Sequence, residues 1–108
     1  MDASGIAAGF PSLQDFSRHL GDRFQTLWGS ADPVELEFIE AAQLRSRPRG
    51  DNPNIRSDPF SLLFRGPFAP ALPQRIHRLV HPQLGPLEIF LVPIGPDAAG
   101  ARYEAIFN

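Results

Sequence analysis

The residues with the most chemical potential in this chain lie close together: His77, His81 and Glu88, in the stretch HRLVHPQLGPLEIF at residues 77–90. Two histidines four positions apart would share one face of a helix and could hold a zinc ion, with Glu88 as the nearest carboxylate. The flanking prolines decide against a helix. Pro73 and Pro82 leave eight residues between them, and Pro82 drives His81 toward extended backbone. In a strand the two histidines stand roughly 13 Å apart, whereas zinc–nitrogen bonds are about 2 Å long, so one ion cannot bridge them. With PQLGP as the loop, residue 81 is expected to face 87, and 78 to face 90. His77, Leu79 and His81 then share a face with Leu87, Ile89 and Leu91, while Glu88 points to the other side beside Arg78 and Phe90. The stretch reads as a hairpin with two partly buried histidines, and no metal site is expected.

Other chemistry finds less support. The chain has no cysteine, which removes thiolate ligands, disulfides and a cysteine nucleophile, and it has no G-x-S-x-G elbow. Glu35 and Glu37 alternate with Val34, Leu36 and Phe38, the pattern of a solvated strand face and not of an acid–base pair. No glycine-rich phosphate loop occurs. The expectation is a protein that is not an enzyme, with no catalytic residue and no cofactor.

One local basic cluster remains: Arg45, Arg47, Arg49 and Arg56, within RSRPRGDNPNIRSD and offset by Asp51 and Asp58. Guanidinium groups bind anions bidentately, so this segment is the candidate loop for binding an anion or a partner. It has no interleaved aromatics on which bases could stack, and the formal net charge is −2, so nucleic acid is not the expected partner. The RGD tripeptide at 49–51 matches an integrin-binding motif, but three residues recur by chance. All ten basic residues are arginine; alongside abundant Ala, Gly and Pro, a GC-rich genome accounts for that more simply than ten selected contacts.

The elements that must position these residues follow from periodicity. Residues 1–11 are small and apolar without a period, a flexible N-terminal arm. Ser12 can cap a short helix over 12–20, with Asp15 completing a capping box and Gly21 at its C-terminal end. Leu13, Phe16 and Leu20 give that helix one narrow apolar stripe. The period then changes to two. DRFQTLW and VELEFIEAAQL, separated by the turn GSADP, form a first hairpin. A long polar loop at 45–58 follows. PFSLLFRG, QRIHRLVH, LEIFLVP and RYEAIFN complete about six strands, and PFAPALP joins two of them in extended form. Tyr103, Ala105 and Phe107 share one side of the last strand, which is expected to pair inside the sheet.

These elements fill one β-rich domain over 12–108. The class is mainly β, α+β at the margin: about six antiparallel strands in a curled sheet, barrel or sandwich with one short N-terminal helix. A hydrophobic content of 43%, with nine phenylalanines, suffices for a core. No apolar run reaches the roughly 18 residues of a membrane span, and MDASGIAAGF lacks the basic start of a signal peptide. A soluble protein kept in the cytoplasm, or carried out as part of an assembly, is expected, with no membrane partner. Both faces of the 75–93 hairpin are apolar, the second through Ile76, Val80, Phe90 and Val92. That face is expected to be covered by the helix around Phe16, by barrel closure or by another subunit.

The strings FSLLFRGP (60–67), HPQLGPLEIFLVPIGP (81–96) and YEAIFN (103–108) resemble a family of small uncharacterised bacterial proteins, a domain of unknown function. The resemblance extends more weakly over residues 13–108. It implies no catalytic residue. Members of this kind are often encoded near phage tail-collar-like proteins, which implies an accessory role in a phage-tail-like or surface assembly. The expected function is therefore a non-catalytic structural or protein-interaction module, with a protein partner or self-association. The alternative is a β-barrel that binds an anionic small molecule or nucleic acid through the arginine loop.

Overall fold

A computed structural model describes residues 10–29, 32–44 and 59–107. Six antiparallel strands close into a barrel: β1 Arg23–Leu27, β2 Pro33–Gln43, β3 Phe60–Gly66, β4 Arg75–His81, β5 Gly85–Pro93 and β6 Ala101–Phe107. Around the barrel the order is β1-β2-β3-β6-β5-β4, and β4 returns to β1. Among the described residues one helix, α1 (Leu13–Ser17), precedes β1. Among the described residues no helix is long and apolar enough to cross a membrane.

Alternation in the sequence becomes inside and outside of the barrel. Phe24 and Thr26 of β1 point inward, as do Val34, Leu36 and Phe38 of β2 and Phe60, Leu62 and Phe64 of β3. The other half of the wall contributes His77, Leu79 and His81 of β4, Leu87, Ile89 and Leu91 of β5, and Tyr103 and Ala105 of β6. Glu35 and Glu37 lie outside, paired with Arg23 at 3.0 Å and Arg65 at 3.7 Å. They are a solvated face, as the alternation predicts, and such pairs add little in water.

The β4–β5 hairpin corrects the expected register. His81 pairs with Gly85 and Arg78 with Glu88, so 81 does not face 87, nor 78 face 90. The loop is Pro82–Leu84, three residues and not five. Gly85 makes this turn tractable: its φ of +77° is the left-handed geometry that ends a three-residue hairpin loop. Because the shift is two residues, an even number, every side chain stays on its expected face.

The helix is also shorter than the 12–20 expected. The capping box forms, with the Asp15 amide donating to Ser12 Oγ at 3.2 Å and the Ser12 amide donating to Asp15 Oδ2 at 3.0 Å. After Ser17, however, the amides of His19, Leu20 and Asp22 donate to Phe16, Ser17 and His19, each three residues back. These tight turns bring the chain to Gly21 and Asp22, whose amide and carbonyl then pair with Phe38 on β2 at 2.8 and 3.0 Å. The strand ladder takes over from the helix there, and Leu20 is left exposed.

The helix does not cover the outer hairpin face. It plugs one end of the barrel, where Phe16 meets Phe38, Phe60 and Phe107 at ring separations of 6.1–6.2 Å. Phe10 packs on the same cluster, 5.2 Å from the Phe107 ring. The flexible arm expected over 1–11 otherwise falls on residues outside those described. At the opposite end the segment between β3 and β4 crosses the barrel mouth. There Leu72 is buried, and its amide donates to the Tyr103 hydroxyl at 2.9 Å.

Candidate functional site

Arg45, Arg47, Arg49 and Arg56, with the whole 45–58 loop, lie outside the described residues. His77 and His81 are both inward on β4, on a strand and not on one face of a helix, so they do not form the two-histidine zinc site that a helix would allow. Glu88 is on the outer side, opposite Arg78. Three other features concentrate the polar chemistry and the exposed apolar surface.

The first joins His19, Asp22 and His81, whose ligand-capable atoms all lie within 4.8 Å of one another. The turns after α1 place His19, the ladder with Phe38 places Asp22, and the end of β4 brings in His81 from 59 residues away. Asp22 Oδ2 is 2.9 Å from His19 Nδ1 and 2.9 Å from His81 Nε2. The two imidazoles stand edge to face at 4.5 Å, and His81 also lies against Phe24 at 4.8 Å.

The other ring nitrogen of His81 fixes the proton. Its Nδ1 accepts the amides of Gln83 and Leu84 at 3.0 and 3.1 Å, so it carries no hydrogen, and the neutral ring holds its proton on Nε2 and donates it to Asp22. Turning Nε2 into a metal ligand would require a proton on Nδ1, directed at two N–H groups. The arrangement therefore suits a clasp better than a metal centre: one carboxylate ties the start of β1 to the β4–β5 turn. Hydrogen bonds from His81, and then from His19, hold the Asp22 carboxyl below the usual aspartate range.

The second feature is a cavity of about 440 Å³ between β1 and β4. These strands share one paired position, Gln25 with Val80, and beyond it the seam opens toward the barrel end where Trp28 stands. Thr26, Trp28 and His77 line the cavity from the inner side, and Leu27, Ile76 and Val80 contribute from the outer side. Gln25, Arg75 and Arg78 add to the polar lining, and among the described residues no carboxylate lines the cavity. The Arg75 guanidinium carbon sits 5.3 Å from the centre of the Trp28 ring, and Trp28 meets His77 edge-on at 5.8 Å. His77 Nε2 lies 2.9 Å from the Pro73 carbonyl; a carbonyl only accepts, so this nitrogen carries the ring's proton.

The third is the outer face of β4, β5 and β6. Ile76 and Phe90 are directly opposed, and Ile106 is level with Phe90 when the register that pairs Val92 with Glu104 is continued. These three side chains are 56%, 49% and 53% exposed. Sequence alternation had identified the apolar second face of the hairpin. It gave no hint of the Asp22–His81 clasp or the cavity, because each is made by pairing β1 with the distant β4.

No curated protein and no solved structure matches the chain. The model of a domain of unknown function, DUF6916, matches residues 11–107, which takes in all six strands and α1. The chain belongs to that family.

Proposed function

We propose that the protein is a non-catalytic interaction module that docks a protein partner, or a second copy of itself, on the outer face of β4–β6. The observation that carries this reading is the exposed row Ile76, Phe90 and Ile106. Isolated apolar residues on a surface need no explanation, but neighbouring large ones on adjacent strands point to an interface. Regular strands keep the row flat and rigid, so binding would cost little ordering. The finer proposal is an accessory role in a phage-tail-like or surface assembly, supported by the family resemblance and by the absence of any histidine–carboxylate–nucleophile set in the geometry described above.

Size-exclusion chromatography with light scattering tests this, on the protein alone and co-expressed with tail-collar-like neighbours. The expected result is a mass above the 11.9 kDa monomer or a co-eluting complex, either of them lost in Phe90→Glu while the fold is kept. A monomer in every mixture would overturn the proposal.

A further inference from the structure

The cavity between β1 and β4 has a composition that the docking surface does not explain. Thr26 and His77 are each only 4% exposed and both line it. Among the described residues, the Thr26 hydroxyl has no hydrogen-bond partner, and His77 uses Nε2 toward Pro73 while Nδ1 has none. Buried polar side-chain atoms are nearly always satisfied, so two orphans on one cavity call for a polar group inside it. Charge narrows that group. Arg75 and Arg78 line the cavity, and the ion pairs among the described residues, which engage Arg23 and Arg65, do not include them. Glu88 faces Arg78 across the β4–β5 pair, but among the described residues that line the cavity there are two guanidinium groups and no carboxylate, in a chain whose net charge is −2.

Shape and surface narrow it further. Leu27, Trp28, Ile76 and Val80 supply apolar wall, and a volume of about 440 Å³ lies within the range of small-molecule pockets. The Trp28 ring holds the Arg75 guanidinium by a cation–π contact, which positions the charge without neutralising it. A guanidinium so placed presents its fork to a planar two-oxygen anion.

We propose that this cavity binds a small organic carboxylate with an apolar body. The carboxylate meets Arg75, with Arg78 adding positive charge from the outer side of β4; the apolar part lies against Trp28, Leu27 and Ile76, and a further polar substituent can reach Thr26 Oγ1 and His77 Nδ1. The site shares Ile76 with the docking row, but Phe90 and Ile106 take no part in it.

Trp28 is the single tryptophan, so intrinsic fluorescence reports on the cavity directly. The full chain is titrated with octanoate and with octanamide, which has the same hydrocarbon tail and no charge, and binding is confirmed by calorimetry. Saturable quenching or a spectral shift with octanoate is expected, with octanamide at least roughly tenfold weaker. The double variant Arg75→Gln/Arg78→Gln should weaken octanoate by roughly tenfold or more and leave octanamide unchanged. Arg18→Gln, just past the end of the far helix, should leave both unchanged, with circular dichroism verifying the fold of each variant. Equal binding of the two probes, insensitivity to the double variant, or no saturation by about 10 mM octanoate would each overturn the proposal. Phe90→Glu keeps octanoate binding if the site stands alone, so failure here and failure of the docking surface are told apart.

Discussion

The two ends of the barrel are built on opposite terms. At one end α1 lowers Phe16 onto Phe38, Phe60 and Phe107, and the Asp22–His81 clasp ties the hairpin turn to the first strand. At the other, β1 and β4 part after a single paired position and leave a cavity under Trp28. The closed end is filled by aromatic rings, and both nitrogens of the His81 ring beside them have hydrogen-bond partners. The open end holds guanidinium groups and buried polar atoms that have no ion-pair or hydrogen-bond partner among the described residues. Tight packing and open polar surface are thus segregated along the barrel axis, and a side chain of similar size should matter differently according to the end it occupies.

The sharpest test of that contrast compares two aromatic deletions. Phe16→Ala removes a fully buried ring from the plug and should lower unfolding free energy by about 4 kcal/mol. Trp28→Ala, at the half-buried rim of the cavity, should cost about 1–2 kcal/mol, because solvent already reaches that side chain. Urea denaturation measures both, and equal losses would break the comparison.

A smaller effect is expected at the clasp. His81→Leu fills similar space but strands the Gln83 and Leu84 amides at the turn and removes the donor to Asp22. The expected loss is about 2 kcal/mol, read as a lower denaturation midpoint with an unchanged slope. A neutral outcome would mean that the turn satisfies its amides from water and that the plug alone secures this end.

The smallest effect concerns pH. Hydrogen bonds from His81 and His19 lower the Asp22 pKa in the folded state, so this group stabilises the fold above the ordinary aspartate pKa, and its contribution disappears as pH falls through the depressed folded value. Asp22→Asn should therefore be less stable than the natural protein near neutrality, and the gap should close in acid. Thermal melts of the two proteins across that range check the sign. A gap constant with pH would show that the carboxylate charge plays no part in the clasp.

Phe60, Leu62 and Phe64 alternate with Ser61, Leu63 and Arg65, and that period alone defines β3 and its inner face. The inner face of the hairpin was equally plain, although its register was displaced by two, because the left-handed Gly85 lets three residues do what PQLGP was read as needing five to do. The plug was only half legible: the capping box announces α1, but nothing local says that Phe16 points down the barrel. The clasp and the cavity were not legible at all. Asp22 and His81, like Thr26 and His77, meet because β1 joins β4 to close the barrel, and closure has no local signature. Trp28 looked like one more residue of a strand period, and Arg75 like part of a general arginine excess.

The place of β6 in the barrel has a consequence for how the chain reaches this structure. β1, β2 and β3 pair in sequence order, as do β4 and β5, so a three-stranded meander and a hairpin can form between strands that are neighbours in the chain. β6 inserts between β3 and β5 and pairs Phe60 with Phe107 and Gly66 with Ala101, partners 47 and 35 residues apart. Contacts of that separation form late, since loop-closure entropy is lost before they give anything back. Until they form, β3 and β5 each present a bare edge that could recruit a strand from another molecule. β6 thus joins the two halves across β3 and β5, and the interval before it docks is when the chain is most exposed to aggregation.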